Sequence, residues 1–302
     1  MRYAWIKEHR DSWPLSRMCS ALRVSRSGYY NWNTRIPSPR DQRRERIEKL
    51  VLESHSSSHG IYGYRKIHRD MMNNDMESCC AETVRRAMKR LGIKSCRARK
   101  YVVTTDSNHN MPVAENLLER DFSSSAPNEK WLADITYIPT REGWLYLAVV
   151  LDCFSRKIIG WAMSENIDAD LVCNSLRMAI SRRGEASFWD LIHHSDRGSQ
   201  YASEKLGDLI AASNIRLSMS RKGDPWDNAM MESFFNSLKS EWISSLYSTR
   251  KEAEMEVFKY IEMFYNPVRL HESLDYISPL DFERKFEQDL VRNESLVERF
   301  IQ

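Results

Sequence analysis

The chain contains no run of about 18 apolar residues of the kind that spans a bilayer, and its opening stretch, MRYAWIKEHRDSWP, lacks the apolar centre of a secretory leader. None of its six cysteines forms a Cys-x-x-Cys pair, which argues against the commonest thiolate metal and redox patterns and for reduced thiols inside a cell. There is little charge imbalance either. With 45 Lys and Arg against 42 Asp and Glu, the formal net charge is only +3, too small to identify a polyanionic partner, so the distribution of charge has to decide. These absences predict a cytoplasmic protein with no membrane partner. What is present is ordinary: 302 residues, 42% hydrophobic and 29% charged, enough for two or three domains and a sizeable core.

The informative stretch is residues 193–242. Asp196 follows an apolar run, Phe188 to Ile192, that reads as a buried strand, and Glu232 lies one turn into an amphipathic helix opened by Asp227 or Asn228. The two carboxylates have 35 residues between them. A third, Asp134, sits upstream in the strand-like WLADITYIPT (131–140). Three acidic side chains on rigid elements can hold two Mg²⁺ ions, the arrangement that clamps the attacking and leaving oxygens of a phosphodiester during in-line displacement.

Before this stretch, Leu15 to Trp32 predicts two short helices around Val24 to Ser27, with Ser25 or Ser27 capping the second; it suits a helix-turn-helix or a small helical hairpin packed on something else. Ile36 to Arg40, with two prolines, reads as a linker, and a charged helix follows from about Asp41 to Glu53. Helices are expected over Tyr64 to Met72 and Ala81 to Leu91, the second placing Arg85, Arg86, Lys89 and Arg90 opposite its apolar face. Arg85 to Lys100 holds eight Lys or Arg and no Asp or Glu, which favours phosphate contact over a merely solvated face. Residues 101–129 read as a polar linker with one short helix near Asn116 to Arg120. Trp131 to Pro139, Trp144 to Leu151 and Lys157 to Met163 suggest an antiparallel three-strand meander. A helix (Ala169 to Arg182), the strand leading to Asp196, a helix (Ser203 to Ala212) and a short strand (Ile215 to Leu217) come next. Beyond Trp242 the chain turns helical again, chiefly over Ala253 to Phe264, and Arg284 to Gln302 reads as a charged helical tail able to pack on a partner subunit.

WLADITYIPT, HHSDRGSQYAS (193–203), SMSRKGDPWDNAMMESFFNSLKSE (218–241) and FYNPVRLHESLDYISPLDF (264–282) closely resemble the catalytic core of insertion-sequence transposases of the DDE type. More narrowly they resemble the OrfB product of elements that encode their transposase in two overlapping frames, with a core similar to retroviral integrases. The resemblance extends to SRMCSALRVSRSGYYNW (16–32) and HGIYGYRKIHRDM (59–71), and so covers nearly the whole chain. It implies an α/β fold: a ribonuclease H-like catalytic core, a mixed five-stranded sheet with helices, preceded by helical helix-turn-helix DNA-binding domains. The expected division is a helix-turn-helix-like segment at 1–36, a second at 40–100, a linker at 101–127, the core at 128–245 and a helical extension at 246–302.

The resemblance also implies a function. Asp134, Asp196 and Glu232 would bind two divalent ions, Mg²⁺ with Mn²⁺ able to substitute, cleave the element's ends and transfer the 3′-OH strand to target DNA. Terminal inverted repeats and target DNA would be the partners, with a homo-oligomer assembled on DNA and an upstream-frame product joined by frameshifting. Two other classes keep the same motifs: a DNA-binding regulator without catalysis, and a ribonuclease H-type nuclease that cuts but does not join.

Several residues compete for the site. Asp152 opens the turn after the second strand and is read as a turn former. His193 and His194 suit structural hydrogen bonds better than ligation of a hard cation. Asp224 and Asp227 sit in a Gly/Pro loop, Asp227 as an N-cap. A zinc site of the retroviral kind would need His55, His59, Cys79 and Cys80, but adjacent cysteines lack the spacer that lets two thiolates reach one ion. On the helix after Asn228, Met231, Phe234, Phe235, Leu238 and Trp242 form a core face, while Asn236 and Lys239 share the face of Glu232. That grouping is either a surface Glu/Lys pairing or, as the resemblance implies, DNA backbone contact by Lys239 and Asn236. Glu241, about 180° from Glu232 around the axis, is expected to meet solvent or another helix. Arg269 and His271 match the family's basic pair, although Leu270 stands where many members have proline.

Overall fold

A computed structural model describes residues 1–96, 114–184, 188, 190–221, 228–243 and 246–301. The chain gathers into two compact units, Met1–Leu52 and Glu53–Gln302. In the first, α1 (Arg2–Glu8), α2 (Leu15–Ala21) and α3 (Arg26–Asn33) enclose Ile6, Met18, Cys19 and Tyr29. Ser25, not Ser27, caps α3: its hydroxyl accepts from the Gly28 N–H at 2.9 Å. The expected linker at Ile36 to Arg40 is shorter than the prolines suggested, because α4 runs over Pro39–Ser57. Proline at a first helical position loses no helix hydrogen bond, and the Ser38 hydroxyl caps the Asp41 N–H at 3.2 Å.

In the second unit, α5 (Tyr64–Asn73) and α6 (Ala81–Leu91) pack through Ile67 and Met71 on one and Val84, Ala87 and Met88 on the other. Gly92, at φ +69°, turns the chain out of α6 while the Ile93 N–H closes back onto Met88 O at 3.1 Å, as a left-handed helix cap requires. The short helix expected near Asn116 to Arg120 is a turn instead. The Asn116 side-chain oxygen accepts from Leu118 N and Glu119 N, and Glu119 and Arg120 take positive φ, which no right-handed helix admits.

The sheet comprises β1 (Lys130–Thr140), β2 (Gly143–Asp152), β3 (Ile158–Ser164), β4 (Ile192–Ser195) and β5 (Arg216–Met219), in the order β3-β2-β1-β4-β5. The first three form the expected antiparallel meander; β4 joins β1, and β5 joins β4, in parallel. α7 (Ala169–Arg183) and α8 (Glu204–Ala212) contribute Leu171, Leu176, Leu206 and Ile210 to the core formed with Trp131, Ala148 and Val150. α7 lies so close to β3 that a Cβ on Gly160 would collide with the Ser175 carbonyl, so this position demands glycine.

α9 (Ala229–Glu241) then crosses β1, followed by α10 (Arg250–Phe258), a π-helical stretch (Lys259–Tyr265) and α11 (Pro279–Ile301). α11 begins a turn before the expected tail, and its start is tied to the core. Glu283 is buried and takes hydrogen bonds from Ser155 (2.7 Å), Lys157 (2.6 Å) and Arg183, while Phe282 and Phe286 pack on Phe154. Among the described residues no helix is long and apolar enough to cross a membrane.

Candidate active site

The register of the two central strands decides where two of the carboxylates stand. Ala133 of β1 pairs with Ser195 of β4 in parallel, so the next residues, Asp134 and Asp196, lie side by side at a strand spacing of about 4.8 Å. Asp134 is fixed from two directions: one oxygen accepts from the Ile135 N–H at 2.8 Å, the other from the Asn228 side-chain amide at 2.9 Å. That second bond brings the start of α9 over β1. Asp196 accepts from the Gly198 N–H at 2.9 Å, and a Cβ on Gly198 would stand 3.0 Å from the same carboxylate oxygen, so glycine keeps this turn close.

Glu232, half-buried, enters from the first turn of α9. The result is a concentration of negative charge. Burial raises the Asp134 carboxyl well above its usual range, Asp196 raises it further, and Glu232 adds to the same effect, against the Ile135 N–H and the Lys239 ammonium. Burial also raises the Glu232 carboxyl. Oxygen-only donors suit a hard divalent cation, and such a charge would remove the repulsion that the three carboxylates otherwise hold. Among the described residues no three His, Cys, Asp or Glu side chains stand close enough to hold an ion.

Of the other expected residues, Lys239 shares this side of α9. Its ammonium lies 4.7 Å from the centroid of the Tyr137 ring, and burial lowers its pKa to about 8 against the pull of Asp134. Asn236 is exposed on the same face. The opposite face buries Met231, Phe234, Phe235 and Leu238 as expected, and Trp242, half-buried, stacks on Phe264. Glu241 does face away from Glu232 and, as one of the two alternatives had it, meets another helical segment, with Arg269 as a further partner. The Arg269 guanidinium forks onto it at 2.5 and 2.7 Å and the Tyr260 hydroxyl donates to it at 3.1 Å.

Arg85, Arg86, Lys89 and Arg90 are all exposed on α6, away from the carboxylates. They are not wholly unopposed, since Glu82, just before the acid-free run, receives Arg85 at 2.6 and 2.8 Å and Arg86 at 3.0 Å. Those guanidiniums, Arg85 first, hold the Glu82 carboxyl down at about 2. Arg97, Arg99 and Lys100 of that run lie outside the described residues, as do Asp224 and Asp227.

The competitors settle as follows. Asp152 is the turn former it was read as, accepting from the Phe154 N–H at 3.0 Å, and it is also buried against Arg183 at 3.1 Å. Burial wins over Arg183 and raises its carboxyl to about 6. The His194 Nδ1 and Ser218 hydroxyl share a hydrogen bond at 2.8 Å, and His193 lies buried in β4. His59 packs on Trp242 and Phe264, His55 Nε2 lies 3.2 Å from Lys94 O, Cys79 O accepts from His68 at 2.8 Å, and Cys80 is exposed at the start of α6.

Two residues at the site were missed in the sequence. Asn228 reads as a helix cap, but its amide serves Asp134 and not the helix. Tyr201, given no role in the sequence, is buried, with its hydroxyl pushed well above its usual pKa by burial and then by Asp134 and Asp196. Only the closeness of both to the acidic motifs hinted at this.

Comparison with known proteins gives the domains and the family. Two integrase core domain models match residues 124–225 and 213–279, and an HTH-like domain model matches residues 42–101. The class is thus a polynucleotidyl transferase with a ribonuclease H-like core, preceded by a helical DNA-binding region. Transposase InsF for insertion sequence IS3A of Escherichia coli strain K12 is 42% identical over 289 residues, covering 94% of this chain and 99% of the relative. The insertion element IS600 uncharacterized 31 kDa protein of Shigella sonnei is 42% identical over 273 residues, 90% and 99% of the two chains. Among solved structures, the HTLV-2 integrase catalytic core domain in complex with magnesium is 14% identical, covers 53% of this chain and 99% of its own, and has a TM-score of 0.39. The chain belongs to the DDE-type transposases of insertion sequences. It is a DNA transposase, and DNA is its partner.

Proposed function

We propose that Asp134, Asp196 and Glu232 are the metal-binding catalytic carboxylates of this transposase, holding two Mg²⁺ ions for which Mn²⁺ can substitute. The observation that carries the reading is the parallel register that sets Asp134 beside Asp196, with the glutamate-bearing helix tied over them through Asn228. When bound there, divalent ions would lower the pKa of the attacking water or 3′ hydroxyl and neutralise charge developing on the phosphate. The protein's own part is positional. Asn228 and the Ile135 N–H orient Asp134, the Gly198 N–H orients Asp196, and Lys239 and Asn236 meet the DNA backbone beside Glu232.

In this reading water first frees a 3′ hydroxyl at the element's end, and that hydroxyl then attacks a target phosphodiester without a covalent enzyme intermediate. Residues 1–36 and 40–100 bind DNA, with Arg85, Arg86, Lys89 and Arg90 as phosphate contacts, and 101–127 links them to the core at 128–245 and its extension at 246–302. The active form is a homo-oligomer on paired terminal inverted repeats, with an upstream-frame product fused by frameshifting as a further partner.

The test is an assay with labelled terminal-repeat ends, an unlabelled target duplex and added Mg²⁺. Joined products support the reading. Cut but unjoined ends would indicate a nuclease, and binding without any strand cleavage a regulator.

A further inference from the structure

On the side of α9 away from Glu232 lies a cleft of about 300 Å³ that the carboxylate site does not use. Ser233 and Ser237 line it, and at about 100° per residue they stand about 100° and 140° around the helix from Glu232. The opposite wall carries positive charge from three separate parts of the second unit: Lys66 on α5, Arg156 in the turn between β2 and β3, and Arg269 with His271 after the π-helical stretch. Their convergence is real rather than nominal. His271 is buried, and besides burial itself Arg269, Lys66 and Arg156 all hold its imidazole well below the usual range, so it stays neutral and accepts from Arg269 at 3.3 Å.

Arg269 has its counter-charge in Glu241. Glu272 also lines the cleft, and it and Glu241 both act on Lys66, so three cations and His271 face two carboxylates here. Among the described residues neither the Lys66 nor the Arg156 side chain makes an ion pair or hydrogen bond with a carboxylate; the Lys66 ammonium lies 5.4 Å from the centroid of the Tyr62 ring. Enclosing an excess of cations is unfavourable, and burial followed by Arg269 lowers Lys66 to about 8 against the pull of Glu241 and Glu272. Two backbone irregularities border the cleft. Arg156 sits at φ 59°, a left-handed conformation that a non-glycine residue adopts at some cost, and the seven-residue π-helix ends in Tyr265, on the cleft wall. Both are departures of a kind that concentrate at functional sites.

An anion of nucleotide size satisfies these features. A cleft of about 300 Å³ is at the small end of ligand pockets, too small for a duplex, and its hydroxyl, guanidinium and ammonium groups are phosphate donors over an apolar floor. Its position relates it to the chemistry: a helix with its side chains is about 10–12 Å across, so a strand passing about half-way around it travels about 16–19 Å, or about three nucleotides at the roughly 6 Å phosphate spacing of an extended single strand. We propose that the cleft receives a single-stranded DNA phosphate about three nucleotides from the scissile one, with Lys66 and Arg156 supplying its counter-charge. This rests on the transposase reading and adds to it a strand path around α9, from the carboxylates to the helix-turn-helix-like α5.

The experiment uses the full chain and measures binding alone, so that joining by the unaltered protein judges the functional reading separately. Terminal-repeat DNA with a short single-stranded flank carries one neutral methylphosphonate, moved position by position. For the unaltered protein, one position about three nucleotides from the cut should weaken binding by about tenfold. Lys66→Gln and Arg156→Gln should each weaken binding to the unmodified DNA similarly, lower the slope of log K against log salt by about 0.7, and make the protein insensitive to that methylphosphonate. Unchanged affinity and slope in both variants, or a sensitive position that remains sensitive in them, would overturn the proposal. If Lys66→Gln does not fold, Arg156→Gln and the scan with unaltered protein still decide. Inorganic phosphate and dAMP are titrated in parallel, and their tight binding without any methylphosphonate-sensitive position would assign the cleft to a free phosphate compound and refute the DNA source.

Discussion

Replacing Glu241 by glutamine tests whether the face of α9 opposite Glu232 is structural. Glu241 and Arg269 keep only 12% and 9% of their side-chain surface exposed, and the guanidinium meets both carboxylate oxygens. Glutamine retains the shape but turns an NH₂ toward the guanidinium, so a donor faces a donor and the buried Arg269 charge is left uncompensated. Removing one partner of a buried pair costs about 3–5 kcal/mol, and for a unit of this size each kcal/mol lowers Tm by about 2–4 °C, so Glu241→Gln should melt about 6–20 °C lower. Replacing both residues with methionine should recover much of that loss, because apolar side chains of similar volume leave no unpaired charge. Differential scanning calorimetry gives the melting temperatures, and strand transfer measured well below the melt gives the activity. Glu241→Gln should still join DNA there, whereas Glu232→Gln should not. A glutamine variant that melts with the unaltered protein would show that the pair contributes nothing, and the account of this face would fail.

Mg²⁺ should raise the melting temperature of the unaltered protein by binding the folded form, and Asp134→Asn should abolish that rise; a rise that persists would place the ions elsewhere. On α6, Glu82→Gln should strengthen DNA binding by releasing Arg85 and Arg86, and Lys89→Ala with Arg90→Ala should reduce the salt slope by about 1.8; gel shifts over a salt series check both, and unchanged slopes would make this a solvated face. His193 is buried and lowered to about 4 by burial first and by His194 next, so below its ordinary value of about 6.5 the unfolded chain takes up a proton that the folded one does not. Stability should therefore be full above pH 6.5 and fall as pH drops toward 4, by up to about 3 kcal/mol, and His193→Gln should flatten that part of a denaturation-against-pH curve.

The parts of the fold governed by local pattern were legible in the sequence. The meander of β1 to β3, a serine cap at 25 or 27, and α6 from Ala81 to Leu91 follow from alternation, helix spacing and capping chemistry alone. Asp134, Asp196 and Glu232 stood out as candidates through their placement at a strand, a strand end and a helix start, the 35-residue gap, and the motifs that resemble the family. What escaped was set by contacts across long stretches of chain. Asn228 looks like any helix cap until β1 supplies Asp134, and Glu241 looks like a surface residue until Arg269, 28 positions on, reaches back to it. Arg156 and Lys66 lie 90 residues apart, and nothing in either neighbourhood predicts that they share a cleft. The turn at Asn116 was misread for a local reason: its side chain competes for the backbone donors that a helix would need.

The measurement that tests the central claim most directly compares Asp134→Asn, Asp196→Asn and Glu232→Gln with the unaltered chain. Strand transfer of pre-cleaved, labelled ends is followed in Mg²⁺ and again in Mn²⁺, with gel-shift affinity determined on the same preparations. Affinity comes mainly from basic side chains and chemistry from the metal ligands, so each variant should bind DNA nearly as well as the unaltered protein and yield no joined product with either ion. A folded Glu232→Gln protein that still joins ends to target would contradict the assignment and require a different third ligand.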